Sequence, residues 1–396
     1  MLATAGGSPR WLLGLLAPLG LPAAAGPLAG LMFYAGLWVG LLAYAAVLVR
    51  ARALPHRVAV AAIGGVHLFF LLAPPLLSQD VFSYIGYARL AILHGVDPYV
   101  AGPLAAPGDP VLAFAGSKAA PSVYGPPFTL VTYSLALVGV PAALWALKAA
   151  AAVASLAGAA LVWRTAERLG RDPVPAATLV GLNPALLVHV VGGAHNDVLV
   201  LLLTAGALFA LVAGRSGLPA GFATAAAAVK ASAAVAVPFL VLGSRWRGRA
   251  LVAAAAVALA GGAAGLVGFG GHALGWLTVL GTNQAHASSM SLPSLTTGLL
   301  ATVLRTARAD LLPVVRIAYA AAFAVAFVWL VRCAWRGADP IAMAGWATLA
   351  LLACSAWLVP WYVAWLLPLA ALGASRRLAT AAVLVTAWSL AVAIPF

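Results

Sequence analysis

The chain has 396 residues, of which 64% are hydrophobic and only 8% charged, with 22 Lys and Arg against 8 Asp and Glu. A soluble globular protein carries about 25% charged residues to solvate its surface, so this composition excludes a soluble enzyme, a disordered chain and a nucleic-acid-binding domain. The net charge of +14 comes from cations that punctuate apolar runs, a pattern that orients a membrane protein rather than recruiting an acidic partner.

A helix needs about 20 apolar residues to cross the hydrocarbon. About thirteen segments approach this, several of them short: 11–26, 28–49, 58–77, 143–163, 174–191, 195–213, 218–229, 231–243, 250–270, 311–331, 340–356, 358–374 and 378–396. The first is interrupted by Pro18, Gly20 and Pro22. With Arg10 before it and the small residues Ala23–Ala25 at its end, it also reads as a signal peptide; a retained helix is the reading adopted. Cys333 and Cys354 fall in apolar stretches and supply neither a disulfide framework nor a metal pattern.

Placing Arg10 in the cytoplasm and alternating spans puts nearly every basic cluster inside, from Arg50, Arg52 and Arg57 to Arg376 and Arg377. Arg89, Lys118, Arg305, Arg308 and Arg316 are the exceptions. The same alternation sends most other polar residues to the outer face. These include Asp80, Asp97, Asp109, His195, Asn196, Asp197, Lys230, Asn283, Gln284 and His286.

The first long outer loop is 78–142. Within it, DVFSYIGYARLAILH (80–94) has helical spacing. Asp80, Ser83, Tyr84, Tyr87, Ala91 and His94 share one face, and Val81, Ile85, Ala88 and Ile92 the other. This predicts an amphipathic interfacial helix, ended by the turn chemistry of Gly95–Tyr99. Residues 128–141, bounded by Pro127 and Pro141, predict a short helix dipping into the outer leaflet. As a first-turn Asp, Asp80 suits helix capping. At a lipid boundary beside two phenols it also suits proton transfer.

Gly192–Asp197 joins two spans with almost no loop. Capping accounts for one polar residue there, while His195, Asn196 and Asp197 in succession suggest a polar site. Lys230 lies in a run otherwise free of charge, and an intramembrane ionisable group is a functional hypothesis by default. The dozen apolar residues on either side are too few to span separately, so a hairpin with Lys230 at its apex is expected. The alternative is one continuous helix with Lys230 snorkelling. Loop 271–310 offers Asn283, Gln284 and His286 as a cover for a cavity. Trp357, Trp361 and Tyr362 mark an outer turn, suited to anchoring at the interface.

No P-loop, dinucleotide fingerprint, HExxH or nucleophile elbow occurs. A boundary carboxylate with nearby His, Asp and Tyr and a buried cation suits a lipid-linked phosphosugar entering from the bilayer. Lys230, Arg89 or a protonated His would stabilise the leaving phosphate, and Asp80 would take the proton of the attacking hydroxyl. A single displacement inverts the anomeric carbon and requires no metal.

QDVFSYIGYARLAILHGVDPY, YGPPF, GGAHNDVLVLLL, AAVKASAAVAVP and WLVPWYVAWLLPLA together resemble the integral-membrane glycosyltransferases of the GT-C fold. The resemblance is strongest to the actinobacterial polyprenol-phosphomannose-dependent α-1,6-mannosyltransferases of lipomannan and lipoarabinomannan, and spans roughly residues 58–375. It implies an all-α polytopic protein of the plasma membrane, one integral-membrane domain over 1–396. It further implies Asp80 as base, a β-linked mannosyl phosphate lipid as donor and an α-mannoside product on a mannan glycolipid at the outer face, with no cofactor. Donor- or acceptor-binding residues are then expected among Tyr84, Tyr87, Arg89, Tyr124, His195, Asn196, Asp197, Lys230, Asn283, His286 and Trp361. Two alternatives remain: the same architecture with another lipid-linked sugar, arabinofuranose or glucose, and a lipid or polysaccharide flippase.

Overall fold

The computed structural model describes residues 27–284 and 287–392; the expected segment 11–26 and His286 lie outside them. The described residues form helices and no strand. In chain order these are α1 (Pro27–Arg50), α2 (His56–Leu72), α3 (Asp80–His94), α4 (Pro126–Thr132), α5 (Val140–Arg168), α6 (Pro173–Gly181), α7 (Asp197–Val212) and α8 (Leu218–Val229). There follow α9 (Val237–Gly243), α10 (Arg247–Phe269), α11 (Gly275–Gln284), α12 (Leu292–Leu304), α13 (Arg308–Trp335), α14 (Pro340–Cys354), α15 (Val363–Leu372) and α16 (Arg376–Val392). Many start on a proline in the first turn, where its missing N–H costs nothing. Asp172 and Asp339 cap α6 and α14 by accepting from the amides of Val174 and Ile341.

Four described helices are long and apolar enough to cross a membrane: Gly30–Ala53, Val140–Arg168, Arg247–His272 and Arg308–Trp335. The other expected spans fall on shorter helices, and two of them need correction. The span 58–77 stops at Leu72, because Pro74 and Pro75 follow and disfavour helix before them. The span 174–191 is broken into α6 and a π-helical segment, Leu186–Gly192, inclined by 60°. Pro184 interrupts the ladder there. Asn183, fully buried, replaces the lost bonds: its amide donates to Tyr44 and Thr386 hydroxyls and its oxygen accepts from the Leu186 amide. The expected helix 128–141 is α4 followed by a 3₁₀ stretch, Tyr133–Leu137.

The centre is built on α7, which packs against α5, α8 and α15. Leu144, Val180, Leu201, Leu208, Leu366 and Leu367 are fully buried there. By contrast, α10 and α13 leave Leu259, Val267, Val325 and Val328 exposed. Such faces suit hydrocarbon as their solvent rather than water.

The chain reverses at Lys230, as the hairpin reading expects. Lys230 leaves the helix with an extended backbone (φ −145°, ψ 112°). Ala220, early in α8, and Val241, late in α9, pack in one cluster with Ala250. A continuous helix would hold those two residues far apart.

Candidate active site

Helix α3 has the bounds expected for it, and ends on Gly95 in the left-handed conformation (φ 65°), as glycine C-caps do. Its surroundings differ from the expectation of an interfacial helix. Val81 to Ala88 are buried on every side, enclosed by α4, α5 and the loop that follows. Asp80 is not the cap. Its amide donates to the Ser78 hydroxyl at 3.1 Å, which leaves the carboxylate for other work. Asn196 and Asp197 make no side-chain cap on α7 either.

The Asp80 carboxylate lies 3.5 Å from Nδ1 of His195. The fully buried His195 ring stacks on Trp361, with centroids 3.9 Å apart and planes 21° from parallel. Beside it, Asp197 is fully buried and accepts two charge-assisted or polar contacts: Lys230 Nζ at 2.7 Å and the Trp365 indole N–H at 2.7 Å. The Lys230 ammonium lies 5.1 Å from the Tyr362 ring centre, a cation–π distance. Tyr84 ties the two halves together. Its hydroxyl donates to the Asn196 side-chain oxygen at 3.4 Å and accepts from the Asn196 amide at 3.3 Å.

Backbone strain marks this junction. Leu77 and Ala194 adopt left-handed φ values of 57° and 52°, which cost a non-glycine residue about 1–3 kcal/mol and persist only where surroundings enforce them. They precede Asp80 and His195. Lys148 of α5, fully buried, ties the two segments together, its ammonium donating to the carbonyls of Phe70 and Gly192 at 3.0 Å each. The Gly192 carbonyl also accepts from the Leu76 amide. Gly125 closes the other side: a Cβ there would collide with the Ala228 carbonyl, so only glycine lets the Tyr124 loop meet the end of α8.

A cavity of about 750 Å³ opens in front of these groups. Asp80, Tyr87, Tyr124, Lys230 and Trp361 line it, together with Tyr362, Trp365, Trp276, Trp357 and Arg316. Enclosure by protein pushes the Asp80 carboxyl up to about 6, with the Asp197 charge acting the same way and Lys230, Tyr124 and Ser78 opposing. Burial, then the Lys230 charge, holds the His195 imidazole well below its usual range and so neutral. A carboxylate poised near neutrality in a cavity is the arrangement general-base chemistry needs.

Of the expected site residues, the structure thus brings Asp80, Tyr87, Tyr124, Lys230 and Trp361 to one cavity and sets Tyr84, His195, Asn196 and Asp197 directly behind. Arg89 is elsewhere. It pairs with Asp109 at 2.9 Å, which also takes His94 at 2.9 Å. Burial raises the Asp109 carboxyl, but Arg89, His94 and the Val111 amide outweigh it and leave the pKa lowered. Asn283 lies in α11, and His286 is outside the described residues. Arg316, Tyr362, Trp365 and Lys148 were not expected. Lys148 carries the signal that drew attention to Lys230, a lone cation in an apolar run.

The family described as alpha-(1->6)-mannopyranosyltransferase, N-terminal domain, matches residues 7–245. The chain belongs to this family. The family described as MptB C-terminal domain matches residues 290–396. Alpha-(1->6)-mannopyranosyltransferase A of Mycobacterium tuberculosis is 33% identical over 341 residues, covering 79% of this chain and 64% of the relative. Alpha-(1->6)-mannopyranosyltransferase Rv1459c of the same organism is 29% identical over 397 residues, covering 80% and 66%. The enzyme of the first name from Corynebacterium glutamicum is 32% identical over 182 residues, covering 43% and 36%. The chain therefore spans under two thirds of the length of these relatives. No solved structure matches.

Proposed function

We propose that this protein transfers mannose from a polyprenyl phosphate carrier to an α-mannan glycolipid, forming an α-1,6 linkage at the outer face of the plasma membrane. In this reading the helices form a GT-C arrangement, and 78–142 and 271–310 are its extracytoplasmic loops. The observation that carries it is the Asp80 carboxylate at the wall of the cavity, 3.5 Å from Nδ1 of His195. The acceptor hydroxyl attacks the anomeric carbon while Asp80 removes its proton. The bond from that carbon to the phosphate oxygen breaks, and its electron pair leaves with the phosphate. One displacement inverts the anomeric centre, so a β-linked donor gives an α product. Support for mannose comes from the relatives, which bear the name mannopyranosyltransferase.

Incubating the purified chain in lipid with polyprenyl phosphates of mannose, arabinofuranose and glucose, and a short α-mannoside, tests this. Mass spectrometry should find the mannoside extended by one hexose from the mannose donor alone. Extension from another donor only would replace mannose, and extension from none would remove the reading. A flippase gains no support from Asp80, Tyr124, Lys230 and Trp361, which line one cavity.

A further inference from the structure

Among the described residues, three formally charged side chains line the cavity: Asp80, Lys230 and Arg316. They are not equivalent. Lys230 is held 2.7 Å from a fully buried carboxylate, Asp197, which in turn is fixed by the Trp365 indole. That pair is neutral as a unit, and buried Asp197 has nowhere to move. Binding an anion on Lys230 would require sharing its charge with Asp197 at close range.

Arg316 differs in position and in chemistry. It belongs to α13, whose Pro313, Arg316, Ile317, Ala320 and Phe323 all line the cavity. Their spacing traces a single stripe along the helix, about 15 Å from first to last at 1.5 Å per residue. Away from that stripe α13 leaves Val314, Val325 and Val328 open on its surface. The stripe therefore lies on a wall of the cavity that is also a lipid-facing helix. Arg316 is near its head, and apolar side chains continue from there. A planar guanidinium offers paired N–H donors matched to phosphate oxygens and is more weakly hydrated than an ammonium. An anionic head followed by hydrocarbon is the ligand that such a wall complements.

We propose that Arg316 is the cavity's phosphate-binding residue and that Ile317, Ala320 and Phe323 seat the first isoprene units of a prenyl phosphate. This rests on the donor class proposed above and assigns its headgroup to Arg316 rather than Lys230. Bound there, the carrier would enter along α13 from the bilayer and present its sugar toward Asp80.

The test measures binding rather than turnover, using the full chain in nanodiscs of zwitterionic lipid. The probes are farnesyl phosphate, farnesol and inorganic phosphate, and the readout is quenching of cavity tryptophan fluorescence. Wild type should bind farnesyl phosphate more tightly than farnesol and ignore inorganic phosphate at the same concentration. Arg316→Gln should weaken farnesyl phosphate at least about tenfold, the scale of a lost charge-assisted contact, and leave farnesol unchanged. Unchanged farnesol binding also reports an intact cavity. The double variant Asp197→Asn with Lys230→Met, which removes the neutral pair together, should change farnesyl phosphate binding by less than about threefold. If Arg316→Gln does not fold, Arg316→Lys, which keeps the charge and loses the fork, should still weaken binding measurably. Binding of farnesyl phosphate to Arg316→Gln, or to Arg316→Lys in its place, within twofold of wild type overturns the assignment and leaves the donor class standing. No farnesyl phosphate binding to wild type overturns both.

Discussion

Nδ1 of His195 approaches the Asp80 carboxylate to 3.5 Å, although the two residues come from separate segments that each pass through a strained left-handed residue to arrive there. Enclosure of that carboxylate by protein, rather than the imidazole, sets its titration. Asp80 must be ionised to accept a proton, and its pKa is raised to about 6. Transfer should therefore fall about tenfold per pH unit below that value and level off above it. The folded value exceeds the ordinary 3.8, so the folded chain binds this proton more tightly than the unfolded one. Stability from this group accordingly decreases as pH rises from about 4 to 6. Inactivation by acid across that window should appear in the rate and not in thermal unfolding. Lys230 lowers the Asp80 pKa, so Lys230→Met should move the acid limb upward; an unmoved limb would separate the two charges.

Asp80→Asn keeps size and hydrogen-bonding capacity without proton affinity. It should lose transfer by a factor on the order of 10² to 10⁴, with a Tm no lower than that of wild type. Turnover of the purified variant near the wild-type rate would remove Asp80 as base.

Asp197→Ala strands the Lys230 ammonium, and Lys230→Met strands the buried Asp197 carboxylate. Taken alone the lysine looks like a buried charge whose removal brings relief; its partner reverses that expectation. Each single variant should cost about 3–5 kcal/mol in unfolding experiments in detergent, and the double variant less than the sum. Additive losses would mean that the 2.7 Å contact contributes nothing to stability.

Lys148→Met removes both bonds to the Phe70 and Gly192 carbonyls, which tie together the segments leading to Asp80 and His195. Small displacements of reacting groups cost up to about 10²-fold in rate, so kcat should drop at least tenfold. The acid limb should also shift, because the surroundings of Asp80 change. A loss of kcat with an unshifted limb would make Lys148 a packing residue only.

Orientation is open to labelling. With Cys333 and Cys354 replaced, single cysteines at Leu104 and Leu274, both exposed, should react with an impermeant reagent on intact cells. Cysteines at the exposed Arg52, Arg168 and Arg247 should not. Any exchange between the two sets reverses the assignment of faces. Asn196 is unsuited to this experiment because it is buried.

Local chemistry made some of this readable from sequence. Helix α3 could be bounded because its end is written in Gly95, and the reversal at Lys230 because two apolar stretches flanking it are too short to cross. The break at Asn183 was equally visible as Asn-Pro within an apolar run, yet hydropathy alone runs straight through it. Convergence was harder. Nothing in the spacing of Asp197, Lys230 and Trp365 states that one carboxylate serves both partners, since three separate segments supply them. Arg316 sits near the start of a long apolar helix, where a cation ordinarily snorkels, and only the tertiary fold turns it toward a cavity. Arg89 illustrates the converse: a cation on α3, the helix that also carries Asp80, is claimed by Asp109, an acid in the loop beyond.

The reversal at Lys230 carries a consequence for the lipid. The 12 residues of α8 extend about 18 Å, against roughly 30 Å of hydrocarbon. Beyond the hairpin tip the slab must be filled by neighbouring elements or the membrane must thin. Turnover should therefore depend on the hydrophobic thickness of the host bilayer, declining as acyl chains lengthen and the mismatch grows.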